Sequence, residues 1–252
     1  MENLERGIAF GDVHSPFEDK RTWALLNMVG RWFKPDMVVN LGDFLDCWII
    51  STHSKDPTRR AYITMESEIN EGKKKLAQVD SWGAKVKKFI KGNHEFRLER
   101  FIADRAPELN KVCPSIEESL RLRENGWDVT PYKQHVKIGK CFFTHDIGMS
   151  GKYTPWYQAA HYQKNVISGH THRAAMVISG NIAGESHVSM TAGWLGNKED
   201  ADYARPNQKV DWCPSFIVFY MTKEGFVYPQ LIPIVNYTCV VEGKFFQAPF
   251  LK

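Results

Sequence analysis

The strongest constraint on this chain is a pattern that recurs five times: a short apolar run ends in a cluster of Gly, Asp, Asn or His. Ile8-Ala9-Phe10 leads into Gly11-Asp12-Val13-His14, and Met37 to Leu41 leads into Gly42-Asp43-Phe44-Leu45-Asp46. Val86 to Ile90 leads into Gly92-Asn93-His94-Glu95, and Val136 to Phe143 into Thr144-His145-Asp146. Asn165-Val166-Ile167 leads into Gly169-His170-Thr171-His172. The runs are short and β-branched or aromatic, which reads as strands. The polar clusters then fall at strand C-termini, where open α/β sheets place their ligands.

Helical patterns lie between the strands, so the fold class is α/β. Residues 19–33 put Trp23, Leu26, Val29 and Phe33 at helical spacing. Asp56-Pro57 reads as an N-cap with Pro at the first helical position, opening a long polar helix to about residue 80. Phe96, Phe101 and Ile102 mark an amphipathic helix over 95–105. Ser115 to Glu118 fits a capping box, with Gly126 as the stop. Phe216 to Met221 and Phe226 to Ile234 flank a turn and read as a β-hairpin, and 238–247 as another around Glu242-Gly243. At 252 residues the expectation is one domain over 1–252, with a helical insertion at about 50–82 and a specificity loop at about 193–214.

Composition excludes several classes. With 43% hydrophobic and 25% charged residues in near balance, the chain is not intrinsically disordered. A net charge of +4 permits a phosphate-bearing partner without requiring one. No apolar run approaches the roughly 18–20 residues that span a bilayer, so no membrane partner is expected. The first residues lack a secretory pattern. Cys47, Cys113, Cys141, Cys213 and Cys239 are scattered, odd in number and form no CxxC pair, which disfavours a disulfide framework and fits a reducing cytoplasm.

His14, His94, His145, His170 and His172 all lie in the polar clusters, with Asp12, Asp43 and Asn93, whereas His53, His135, His161 and His187 do not. Carboxylates, imidazoles and one amide oxygen form a mixed N/O donor set without sulfur. That set suits Mn foremost, with Fe, Zn, Co or Ni as alternatives. Asp12 and His14 sit two apart, so an extended segment would turn both to one side, and His170 and His172 repeat the spacing. About seven donors exceed what one ion needs, which implies two divalent ions and water-driven attack on phosphorus.

The ordered set GDVH, GDFLD, GNHE, a lone His and GHTH is similar to that of the calcineurin-like metallophosphoesterases, over about residues 8–173. The resemblance implies two packed mixed β-sheets flanked by helices. It implies that Asp12, His14 and His172 hold one metal, that Asn93, His145 and His170 hold the second, and that Asp43 bridges both. His94 would be the general acid, and Asp46 would hydrogen-bond it and favour its protonated form. The nucleophile would be the bridging hydroxide. The protein Ser/Thr phosphatase branch carries an arginine where this chain has Cys47, so that branch is disfavoured. Arg97 and Arg173, each next to a motif, are then the candidate substrate contacts. His53, Lys55, Arg59 and Arg60 are candidates for the rim of the cleft. Trp194, Tyr203, Arg205 and Trp212 in the 193–214 segment either stack a nucleobase or pin a loop.

The expected activity is therefore a phosphodiesterase acting on nucleotides or nucleic acid. A phosphomonoesterase for small molecules or phosphoproteins is the alternative, and a non-catalytic scaffold on the same fold the remote one. Oligomeric state is not legible in these patterns.

Overall fold

The computed structural model describes residues 4–53, 63–201 and 211–250. Among the described residues the strands are β1 (Glu5–Phe10), β2 (Met37–Asn40), β3 (Val86–Ile90), β4 (Trp127–Thr130), β5 (His135–Ile138), β6 (Cys141–Thr144) and β7 (Asn165–Ser168). They continue with β8 (Ala175–Gly180), β9 (Ser186–Thr191), β10 (Ser215–Met221), β11 (Val227–Pro233), β12 (Thr238–Val241) and β13 (Lys244–Gln247). The α-helices are α1 (Lys20–Phe33), α2 (Met65–Asp80), α3 (Phe96–Arg105), α4 (Ile116–Ser119) and α5 (Thr154–Tyr162).

Two mixed sheets organise the molecule. The first has the order β11-β10-β1-β2-β3-β4, with β1 to β4 parallel and β10 and β11 antiparallel at one side. The second has the order β5-β6-β7-β9-β8, parallel through β6, β7 and β9 and antiparallel at both edges. The two expected hairpins form as β10–β11 and β12–β13.

The central strands read as unbroken apolar runs because both of their faces are buried. Alternate side chains serve two different cores. Ile8, Phe10, Val38, Phe89, Phe216 and Val218 face the helices, together with Trp23, Leu26, Val29 and Phe33 of α1. Ala9, Val39, Ile90, Ile217 and Phe219 face the second sheet, where they meet Phe143, Ile167 and Met190. Phe219 packs at 5.4 Å on Phe143, and Gly7 on the neighbouring strand leaves room for its ring: a Cβ there would lie 2.0 Å from it.

Local chemistry sets the helix ends. The Asp19 side chain accepts hydrogen bonds from the Arg21 and Thr22 backbone N–H groups, and α1 stops at Lys34 in left-handed conformation. Helix α2 starts at Met65 on a reciprocal Thr64–Ser67 cap, later than the sequence suggested. Asp56 and Pro57, the expected start, lie outside the described residues. This helix is also less polar in its environment than in its composition, since Glu68 and Lys75 are buried and Lys75 Nζ pairs with Glu18 at 3.1 Å.

Three further expectations need correction. The run 136–143 is two antiparallel strands, β5 and β6, turned by Gly139 at φ 55°, where a Cβ would meet the Gly225 carbonyl at 2.5 Å. The Ser115–Glu118 capping box exists, but its helix is a single turn ending at Leu120, and Gly126 instead opens the way into β4. Phe101 is exposed, and α3 buries Arg97, Leu98 and Ile102.

Phe219→Ala should destabilise the protein by about 3–5 kcal/mol, the usual cost of a large aromatic removed from a rigid core. Urea unfolding checks this, and a loss below about 1 kcal/mol would mean the sheets do not pack as described.

Candidate metal centre

The five polar clusters converge where the C-terminal ends of β1, β2, β3, β6 and β7 meet. Asp12, His14 and His172 present donor atoms to one another, as do Asp43, His145 and His170, and as do His14, Asp43 and His94. The Asp12 carboxylate lies 3.4 Å from His172 Nε2, and Asp43 Oδ2 lies 3.4 Å from His145 Nε2. Asn93 Oδ1 is 2.9 Å from His145 Nε2. All the candidate ligands are buried except Asn93 and His170, which are half-buried.

The backbone, rather than strand pleating, produces this convergence. Asp12, His14, Asp43, His170 and His172 all have positive φ, between 50° and 69°. The expectation that an extended segment aligns Asp12 with His14 is therefore corrected: left-handed turns bring them together. Such conformations are strained for non-glycine residues and persist where neighbours hold them. Here the His170 N–H donates to the Asp12 carboxylate at 2.9 Å and the His94 N–H donates to Asp43 at 2.9 Å. Glycines make the close approach sterically feasible: a Cβ on Gly92 would lie 2.1 Å from Asp43 Oδ1, and one on Gly169 would lie 2.7 Å from Asp12 Oδ2.

A second layer orients the imidazoles. His145 Nδ1 donates to the Leu41 carbonyl at 2.9 Å, His94 Nδ1 to the Asp46 carbonyl at 2.9 Å, and His14 Nδ1 to Asp46 Oδ2 at 3.1 Å. For His145 and His14 the bond leaves Nε2 directed at the centre, the arrangement by which outer partners fix the tautomer of a metal-binding histidine, whereas His94 Nε2 accepts from Arg97. The lone pairs then face other acceptors: His145 Nε2 meets Asn93 Oδ1, and His14 Nε2 meets His172 Nε2 at 3.1 Å. A proton or a cation has to sit between each facing pair.

The titration behaviour agrees. Burial alone would lower His145, but Asp43 outweighs it and pushes the group up to about 10. His14 is likewise raised, Asp46 overcoming the effect of burial. Burial opposes ionisation of Asp43 and Asp12, yet their imidazole neighbours hold both carboxyls below the usual range. The centre thus draws positive charge, and its nitrogen and oxygen donors fit divalent cations.

His94 differs from the other imidazoles. Asp46 touches it as expected, through its carbonyl and through Oδ2 at 3.4 Å, and its charge favours the protonated form. Burial, aided by His14 and Arg97, outweighs that pull and lowers His94 to about 4. Arg97 is buried, donating to His94 Nε2 at 2.9 Å and to the Asp46 carbonyl at 2.7 Å. Arg173 donates to Asp211 at 2.7 Å and to the Ser150 and Thr171 carbonyls at 3.0 Å. Trp194 is buried and stacks on His172 at 5.0 Å, with Trp212 edge-on to both rings. His53 is exposed. Lys55, Arg59, Arg60, Tyr203 and Arg205 lie outside the described residues.

Two buried acids escaped the sequence reading. Glu95 accepts from the N–H groups of Gly92, Asp43 and Leu45 at 2.8–3.0 Å, tying the second and third clusters together. Burial and Asp43 push it up to about 6. Its place directly after His94 was the available signal. Glu68 accepts from the Trp48 and Ile49 N–H groups, and burial with Asp46 pushes it up to about 8. Its helical spacing with Gly72, Leu76 and Val79 marks it as inward-facing.

Among comparisons with known proteins, the profile of the calcineurin-like phosphoesterase family matches residues 6–174, about two thirds of the chain. The Gene 54 protein of Mycobacterium phage L5 is 26% identical over 95% of this chain and 98% of its own length. Vacuolar protein sorting 29 from Cryptosporidium parvum aligns structurally with TM-score 0.48 and 14% identity, covering 96% of this chain and 94% of that one. A dimetal phosphatase from Danio rerio aligns with TM-score 0.44 and 12% identity, covering 92% and 99%.

Glu95→Ala strands three buried N–H groups, and should cost about 3 kcal/mol of stability. Glu95→Gln keeps an acceptor and should recover part of it. Urea midpoints of the two variants check this, and equal stability of Glu95→Ala and the parent would refute the linking role.

Proposed function

The chain belongs to the calcineurin-like phosphoesterase family, and on that premise we propose that this metal-dependent phosphoesterase is a dinuclear phosphodiesterase acting on nucleotides or nucleic acid. The observation that carries the choice of a diester is the commitment of the two nearby arginines. Arg97 is spent on His94 and Asp46, and Arg173 on Asp211 and two carbonyls. A phosphomonoester brings a dianion that calls for a further cation, whereas a diester brings a single charge.

In this reading Asp12, His14 and His172 would hold one ion, Asn93, His145 and His170 would hold the other, and Asp43 would be shared between them. Manganese is the proposed pair, on the oxygen and nitrogen donor set. When bound, the ions polarise the phosphoryl oxygens and make water a nucleophile at neutral pH. His94 supplies the proton to the leaving oxygen. Its Nδ1–H bond to the Asp46 carbonyl keeps the ring fixed, with Nε2 turned inward, 3.7 Å from Asp43 Oδ2. Its lowered pKa leaves the imidazole neutral in the resting protein, so the proton for the leaving oxygen would first have to reach Nε2 from the water that becomes the nucleophile, displacing the Arg97 hydrogen bond to that atom. The Trp194 and Trp212 rings shield His172 from water. The ligands come from both sheets, which supports reading the chain as one catalytic domain.

With manganese added, bis-p-nitrophenyl phosphate should be hydrolysed in preference to p-nitrophenyl phosphate. A preference for the monoester would point to a phosphomonoesterase instead. His94→Ala should keep its metal content and lose about two to four orders of magnitude in kcat. Loss of metal in that variant would make His94 a ligand and reverse the division of roles.

A further inference from the structure

A cavity of about 870 Å³ opens beside the centre, between the start of β5, the segment after β6 and the exposed face of α5. Thr144 and Asp146, which flank His145 in sequence, line it, and Lys133 on its wall lies 5.5 Å from the ring of Tyr132, which is itself 6.2 Å from the His145 ring. Its volume lies within the range of ligand sites, about 300–1,000 Å³. Among the described residues that line it, Lys133 supplies the positive charge, beside the rings of His135, Tyr157, His161 and Tyr162 and the Met149 side chain. Asp146 is the sole acidic side chain among the described residues that line it. Its carboxylate is buried, with Oδ1 accepting from the Gly148 N–H at 2.7 Å.

The aromatic surface extends beyond the cavity. Tyr157 is 50% exposed, and Tyr153 and Trp156 on the adjoining stripe are 55% and 59% exposed. Lysines lean over this rim, with Lys133 Nζ 5.5 Å from the Tyr132 ring and Lys152 Nζ 5.0 Å from the Tyr153 ring. Lysines set beside exposed rings such as Trp156 and Tyr157 are the surface chemistry that tracks a phosphate backbone while stacking unpaired bases. A duplex keeps its bases paired and offers no free face to such rings.

We propose that this groove is a binding site for single-stranded nucleic acid, holding the strand that continues from the scissile phosphate. The phosphates lie toward Lys133 and a base stacks on Tyr157. This inference rests on the phosphodiesterase reading, since it supplies the polymer that a small diester would not need.

The test measures equilibrium binding of a fluorescent oligodeoxynucleotide by anisotropy, which needs no turnover, for the full chain and for Tyr157→Ala and Lys133→Glu. Each variant should bind about tenfold more weakly, the scale of one stacked base or one phosphate contact. Each should keep bis-p-nitrophenyl phosphate hydrolysis within about twofold, because that ester is too short to enter the groove. With the oligonucleotide as substrate, KM should rise and kcat should stay near the parent value. A parent that fails to bind the strand, or variants that bind it as well as the parent, would overturn the groove. A parent that binds the strand but cleaves only monoesters would overturn the diesterase reading while leaving the groove in place. A duplex bound more tightly than the single strand would contradict stacking on the exposed rings.

Discussion

Everything at the reaction centre depends on crowding two buried carboxylates, Asp12 and Asp43, among imidazoles whose free nitrogens point at them. Burial works against both charges, and only nearby positive charge makes the arrangement favourable. The fold meets that requirement with backbone geometry. Parallel strands end side by side, left-handed turns swing the ligands inward, and backbone N–H groups of His170 and His94 fix the carboxylate oxygens. The glycines at 92 and 169 follow from the same demand, since any side chain there would collide with the oxygens the centre uses.

The supporting shell carries this constraint outward. Glu95 binds the second cluster to the third through three backbone bonds, and Asp46 shares its carbonyl and carboxylate between His94, His14 and Arg97. Arg97 thereby becomes part of the scaffold around His94. The Trp194 ring does the same for His172 from the other side. The groove beyond His145 contrasts with this region. There Lys133, Lys152, Tyr153, Trp156 and Tyr157 are exposed.

Much of the centre was legible because its donors sit in short motifs directly after apolar runs. The strand period and the helix period of α1 placed those motifs correctly in space. The i, i+2 argument for Asp12 and His14 brought the right residues together for the wrong reason, because a polar pair says nothing about the sign of φ. The β5–β6 hairpin was hidden by an apolar run that continues through a turn whose signal is one glycine, Gly139. Burial of Glu95 and Glu68 was hidden because an acid on a helix or in a motif ordinarily faces solvent, and only the three-dimensional gathering of N–H groups explains their position. The roles of Arg97 and Trp194 depended on contacts from distant segments, which no local pattern reports.

The most direct test of this account is the number and coupling of bound ions. Titrating the metal-free protein with manganese, followed by electron paramagnetic resonance, should give two ions per chain with an exchange-coupled spectrum, the signature of a shared carboxylate bridge. In Asp43→Asn that coupling should vanish. A single ion per chain, or two ions that behave as isolated centres in the parent, would contradict the bridged centre on which the proposed chemistry rests.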